Sequence, residues 1–79
     1  MHTAVALSRL EREEHLRFAM KSRQHIGEAV GVLVERHRIL PDEAFQRLVK
    51  TSQHRNVKVH EIAEAVVTTG QDPEEIQLL

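Results

Sequence analysis

The sequence predicts an all-α fold: a three-helix bundle with a long N-terminal helix and a short C-terminal helical turn. The chain of 79 residues contains only 3 Gly, 2 Pro and 3% aromatic residues, and this composition favours helices over a sheet. Apolar residues recur at helical spacing in three separate segments. Each proline, Pro41 and Pro73, stands where a new helix can begin.

The first helix is predicted from about Ala4 to Arg38, because no residue in that range breaks a helix decisively. Its buried face follows the i, i+3, i+4, i+7, i+8 pattern and consists of Ile26, Ala29, Val30, Leu33 and Val34. Gly27 and Gly31 each cost about 1 kcal/mol of helix propensity relative to Ala. This cost favours a close approach by another helix there, with a groove floor for a ligand as the alternative.

The N-terminal part of this helix carries Leu7, Leu10 and Phe18, which so small a chain cannot cover. Uncovered apolar residues on a helix favour association with a second copy. We therefore predict three parts. Residues 1–22 form a coiled-coil-like helical extension that makes a homodimer, residues 23–70 form the three-helix core, and residues 71–79 form an acidic tail with a short helix.

The second helix is predicted to begin at Pro41, which fits the first helical position, with two acids following at the positive end of the helix dipole. Its apolar stripe is predicted to be Ala44, Phe45, Leu48 and Val49, with Phe45 in the core. Its polar side is predicted to be Gln46, Arg47, Lys50 and Thr51.

The segment Ser52–Asn56 is not expected to be all helix, because Ser, His and Asn are weak helix formers, and Asn56 is a plausible N-cap of the third helix. The third helix has an apolar stripe of Val59, Ile62, Ala63, Val66 and Val67. Gly70 suits the left-handed position that ends it. Asp72 and Glu75 are spaced as a capping box that would open the last short helix.

Charge is distributed unevenly although the net charge is only −1. Residues 17–60 carry a net charge of +5 and residues 61–79 a net charge of −5. A basic centre is compatible with a polyanionic partner, and a set of solvated helix faces is the alternative. No apolar run approaches the ~18 residues of a membrane helix, and the first residues do not form a signal peptide. The sequence therefore predicts a cytoplasmic protein without a membrane partner.

The chain offers no catalytic or metal-binding pattern, so we predict that it is not an enzyme and uses no cofactor. The absence of Cys excludes disulfides and thiolate metal sites. The histidines His25, His37, His54 and His60 do not fall at metal-ligand spacings. There is also no nucleophile–base pair and no Gly-rich phosphate loop.

Four segments, taken in order, resemble the ANTAR domain over roughly residues 16–70. They are 29–36 (AVGVLVER), 41–45 (PDEAF), 52–59 (SQHRNVKV), and Ile62-Ala63 with Val66-Val67. The resemblance implies an RNA-binding regulator of transcription antitermination that recognises stem-loops in nascent leader RNA, usually as a dimer. The family usually carries a receiver or GAF-type sensor domain, for which this chain has no room. Three alternatives follow: the chain is a stand-alone member, it is an excised piece, or its signal comes from a separate sensor or receiver protein. The chain departs from many members at Val30, where they place Lys, and at Lys50, where they place Arg.

Recognition of an RNA loop requires groups that read base edges and cations that hold phosphate. The predicted RNA-binding residues are Arg36, Arg47, Lys50, Ser52, Gln53, Asn56 and Lys58. Arg55 is a further candidate cation and His54 a candidate for stacking, whereas Phe18 is expected to lie too far away. For Ser52 and Asn56 the alternative role is helix termination.

Two other functions stay open from the sequence: a helix-turn-helix-like DNA-binding regulator, and a dimerisation or adaptor bundle that binds no nucleic acid. The DNA-binding function is disfavoured because the third helix carries Glu61 and Glu64, which a major groove would repel.

Overall fold

The computed structural model describes residues 8–77, which form three α-helices and one 3-10 turn. The helices are α1 (Arg9–His37), α2 (Pro41–Arg55) and α3 (Val59–Thr69), and the 3-10 turn spans Pro73–Glu75. The predicted all-α three-helix bundle is confirmed. At about 1.5 Å per residue, the 29 residues of α1 account for most of the 49 Å long axis.

Helix α1 begins with a capping box formed by Ser8 and Glu11. The Ser8 Oγ accepts the backbone N–H of Glu11 at 3.1 Å, and the Glu11 carboxylate accepts the Ser8 N–H at 3.3 Å. The Ser-x-x-Glu spacing is a sequence signal for a helix that starts at Arg9. The predicted start, Ala4, is five residues earlier and lies outside the described residues. Helix α1 ends at His37, and its C-cap Arg38 has φ of 55° and donates its N–H to the Val34 carbonyl at 2.9 Å.

The core lies between the three helices and is almost entirely aliphatic. Its buried members are Ala29, Leu33, Ala44, Leu48, Ile62, Ala63, Val66 and Ile76. The predicted stripes of α1 and α3 are confirmed, because their remaining members are partly buried against this cluster. Each fully buried large aliphatic side chain contributes about 1.5–3 kcal/mol, so these stripes hold the bundle together.

The predicted register of α2 is wrong in part. Phe45 is 39% exposed and does not belong to the core, whereas Thr51, predicted on the polar side, is only 6% exposed. The buried residues of α2 are Ala44, Leu48 and Thr51, at i, i+4 and i+7. Because each residue turns the helix by about 100°, a stripe centred on these positions leaves Phe45 at its edge.

The joint between α2 and α3 is shorter than predicted, because α2 continues through Ser52 to Arg55. Asn56 is the C-cap of α2, with φ of 55° and its N–H bonded to the Ser52 carbonyl; it is not the N-cap of α3. That position belongs to Lys58, whose side chain makes no capping bond. Asn tolerates the left-handed conformation, and packing of Thr51 outweighs the weak propensities of the residues after it.

The segment of residues 70–77, called here the C-terminal strap, folds back so that its 3-10 turn packs against α2 and α3, while Gly70 and Asp72 bond to side chains of α1. Gly70 ends α3 as predicted, with φ of 73°. The predicted capping box does not form, since the Asp72 side chain makes no capping bond. Pro73 is buried and Ile76 is 2% exposed, so the strap joins the core. Leu78 and Leu79 lie outside the described residues.

The close helix approach predicted at Gly27 and Gly31 is not made by any other element of residues 8–77, and for a second copy of the chain it stays a prediction. A Cβ atom at either position would meet nothing within 4 Å. The buried residues of α1 are Ala29 and Leu33, which lie roughly half a turn away around the helix. The two glycines therefore face away from the core.

Candidate functional site

An open groove of about 790 Å³ runs along the C-terminal half of α2, against the strap. It is lined by Arg47, Lys50, Thr51, His54, Arg55 and Glu74. Arg47, Lys50 and His54 lie at i, i+3 and i+7 and therefore share one face of α2. Three permanent cations and one histidine face one carboxylate, so the groove attracts anions.

Asp72 joins the strap to both α1 and α2. Its Oδ1 accepts a hydrogen bond from Arg36 Nη1 at 2.8 Å, and its two oxygens lie 2.9 and 3.0 Å from His37 Nε2. An ionised carboxylate can only accept, so His37 Nε2 is the donor. Arg47 Nη2 lies 3.7 Å from Asp72 Oδ2, and Arg36 Nη2 donates to the Gly70 carbonyl at 2.6 Å. One carboxylate thus gathers three basic side chains.

Glu74 holds Arg47 in a bidentate pair at the edge of the groove. Arg47 Nε donates to Glu74 Oε1 at 3.1 Å, and Nη2 donates to Oε2 at 3.0 Å. Arg55 donates to the backbone carbonyl of Glu74 at 3.1 Å through Nη2, and to that of Ile76 through Nη1. The strap therefore engages both arginines that α2 contributes to the groove.

These contacts favour the charged forms of Asp72, Glu74 and Arg47. The hydrogen bond to Glu74 raises the pKa of Arg47. The hydrogen bond from His37 is the main cause that lowers the pKa of Asp72, against the opposing effect of burial. For Glu74, burial is the largest single effect and acts to raise the pKa, but the hydrogen bond from Arg47 and the other favourable contacts lower it overall.

The joint between α2 and α3 is closed by Ser52. The Ser52 Oγ donates to the Val57 carbonyl, and the Ser52 carbonyl accepts the Val57 N–H at 3.0 Å. The side chains of Gln53, Asn56 and Lys58 are exposed around this joint. Ser52 therefore shapes the joint, while its neighbours present an amide, a second amide and an ammonium group to solvent.

A family model of the ANTAR domain matches residues 14–67, which include most of α1, all of α2 and most of α3. This chain belongs to the ANTAR domain family. ANTAR domains are RNA-binding antitermination modules, and the family is regulatory rather than catalytic. Comparisons with curated proteins and with solved structures found no match.

The structure distributes the seven predicted RNA-binding residues of this ANTAR domain over three places. Arg47 and Lys50 line the groove. Arg36, on α1, does not line the groove, but it shares the Asp72 carboxylate with Arg47, which does. The other four, Ser52, Gln53, Asn56 and Lys58, lie at the end of α2 and in the joint.

Two features of the site were not predicted. The strap acids Asp72 and Glu74 bind the cations of the basic centre. The charge asymmetry of the sequence indicated that the acidic end is attracted to the basic centre, but only the fold shows which groups are in contact. The ring of Phe18 lies 5.1 Å from that of His60 in an edge-to-face arrangement, a contact that was not predicted. Phe18 therefore sits beside the first turn of α3.

Within residues 8–77, no three His, Asp or Glu side chains are grouped closely enough to hold a metal ion. Of the helices that the structure describes, none has the length and apolar character needed to cross a membrane.

Proposed function

We propose that this ANTAR domain recognises stem-loops in nascent leader RNA and acts in the cytoplasm as a transcription antiterminator. The observation that carries the proposal is the end of α2, where a cation-lined groove adjoins exposed amide side chains. Loop recognition uses this combination, since cations hold the phosphates while amides pair with the edges of splayed bases.

The residues divide by chemistry. Lys50 is exposed in the groove and binds phosphate. Lys58 also binds phosphate, at the start of α3, where the first backbone N–H groups have no side-chain cap. Gln53 and Asn56 read base edges. Ser52, whose hydroxyl is bound within the joint, positions Asn56 instead of contacting RNA itself.

RNA is favoured over DNA by the exposed face of α3. Glu61 and Glu64 are both exposed there. A recognition helix that enters a major groove would bring these carboxylates close to two phosphate backbones. An RNA loop held by α2 and the joint does not require α3 to enter a groove.

We further propose that the chain acts as a homodimer through the N-terminal extension of α1, up to residue 22, and receives its signal from a separate sensor or receiver protein. Four large apolar side chains of α1 are 60–62% exposed: Leu10, Leu16, Phe18 and Met20. Exposure of so much apolar surface on a projecting helix favours a second copy as its cover.

RNA binding is tested by gel shift and crosslinking of the full chain against leader RNAs from the source genome, with matched duplex DNA as control. Lys50→Ala should weaken binding to all stem-loops alike and reduce the slope of log affinity against log salt by about 1. Lys21→Ala removes the same charge from an exposed site on α1 and should have little effect. Equal effects of the two variants would contradict the groove as the phosphate site.

Base reading is tested with Gln53→Ala and Asn56→Gly, which remove the amides. Glycine is chosen at position 56 because the backbone is left-handed there, and Ala would add strain. Both variants should lose discrimination between a cognate and a scrambled loop while keeping the salt dependence. Unchanged discrimination in folded variants would move base reading to another surface.

The dimer is tested by analytical ultracentrifugation at micromolar concentration. The intact chain should sediment as a dimer, and the double variant Leu10→Glu, Leu16→Glu should sediment as a folded monomer. Arg12→Glu changes charge on the same exposed segment without removing apolar surface and serves as the control. A monomeric parent chain would refute the proposal.

A further inference from the structure

We propose that the C-terminal strap is an internal competitor for RNA, with the Glu74 carboxylate occupying the phosphate position on Arg47. This inference rests on the proposed function, because it assigns a regulatory contact to the same groove. An RNA phosphate must displace the Glu74 carboxylate before it can bind Arg47. Polyanions that bind too weakly to displace this carboxylate are therefore excluded from Arg47.

The geometry of the Arg47–Glu74 pair is the one by which Arg holds a phosphate. Two parallel N–H donors of Arg47 meet the two carboxylate oxygens at 3.0 and 3.1 Å. Arg uses the same fork for carboxylate and phosphate groups. A phosphate in the groove and the Glu74 carboxylate therefore compete for the same donors.

Glu74 can leave while the strap stays in place. Its side chain is 52% exposed, whereas that of Asp72 is 14% exposed. The backbone of the strap is held separately by Arg55, which donates to the carbonyls of Glu74 and Ile76, and by the burial of Ile76. Rotation of this one exposed side chain releases the Arg47 donors from Glu74, while Arg47 Nη2 stays 3.7 Å from Asp72 Oδ2.

The consequence is a measurable gain in affinity when the competitor is removed. Exposed ion pairs are weak, so removal of the Glu74 charge should tighten polyanion binding by about two- to fivefold. The gain should depend on Arg47, because the competition is for its donors.

The experiment compares Glu74→Gln with Glu75→Gln in the full chain. Both variants remove one negative charge from the same 3-10 turn, but Glu75 is exposed and forms no ion pair within the described residues. Long-range electrostatics therefore change alike, and a difference between the variants reports the specific contact. Thermal melts check that both variants fold.

Two probes are used. The first is a pool of fluorescein-labelled RNA hairpins with randomised loops, titrated by fluorescence anisotropy. The second is tripolyphosphate, titrated while nitrogen-15 NMR follows the backbone amide signals of Lys50 and His54, which line the groove and are present with or without Arg47. The same titrations in the Arg47→Met background should show no advantage of Glu74→Gln.

Tighter binding of either probe by Glu74→Gln than by Glu75→Gln, with loss of the gain in the Arg47→Met background, supports competition. Equal affinities of the two variants overturn it, as does a gain that persists without Arg47. If tripolyphosphate shows the gain but no RNA binds, competition between Glu74 and phosphate for Arg47 stands and the proposed function fails. If neither probe binds Glu74→Gln, both are overturned.

Discussion

Replacement of Asp72 by Asn should cost this domain a large part of its stability. Asp72 accepts hydrogen bonds from Arg36 and His37, and its own side chain is 14% exposed. A hydrogen bond to a charged group contributes about 1.5–3 kcal/mol to stability. The contribution is smaller here because the donor side chains of Arg36 and His37 are 38% and 30% exposed. Because Asn keeps the shape and one acceptor, we expect a loss of about 2 kcal/mol.

The assay is thermal unfolding followed by circular dichroism. For a domain of this size, 1 kcal/mol shifts Tm by about 4–8 °C, so Asp72→Asn should melt about 8–16 °C below the parent. Glu75→Gln, which removes the same charge from an exposed site, should stay close to the parent. If Asp72→Asn melts within about 3 °C of the parent, the strap is not anchored through Asp72 and the reasoning is refuted.

The pH dependence gives an independent test of the same contact. The pKa of Asp72 is lowered in the folded state, mainly by the hydrogen bond from His37. Its stabilising effect is therefore complete above the unfolded pKa, near 4, and is lost as pH falls through the lower folded value. The difference in Tm between parent and Asp72→Asn should shrink on acidification below about pH 4. A constant difference across that range would exclude ionisation of Asp72 as its source.

Two further predictions concern packing. Leu48→Ala should lower the free energy of unfolding, measured by chemical denaturation, by about 2–5 kcal/mol because Leu48 is fully buried. Phe45→Ala should lower it less because Phe45 is 39% exposed. The reverse order would mean that Phe45 belongs to the core. Gly27→Ala and Gly31→Ala should each stabilise the domain by up to about 1 kcal/mol in the same assay, because Ala is the better helix former and its Cβ would meet nothing within 4 Å. A loss of stability would show that a second copy packs on this face.

Local patterns determined much of the fold. Helical periodicity predicted the buried faces of α1 and α3, and Gly70 marked the end of α3 at a left-handed position, which glycine adopts without the steric cost of a Cβ. The ordered family motifs placed the chain among ANTAR domains, because they extend across the helices that the family model matches. These signals can be read locally, since each depends on residues close together in the chain.

The tertiary structure decided the rest. Whether Phe45 or Thr51 enters the core depends on how α2 rotates against α1 and α3, which residues within α2 do not specify. The same packing carries α2 through Ser52 to Arg55 against weak local propensities.

The contacts of the strap are the clearest example of what only the tertiary structure decided. Charge alone indicates that an acidic end is attracted to a basic centre, but Coulomb attraction is not directional. Asp72 meets Arg36 and His37, 36 and 35 residues away along the chain, and Glu74 meets Arg47 at 27, only because burial of Ile76 brings the strap back onto the helices. Pairings across such separations are set by the packed core, which no local pattern in the sequence encodes.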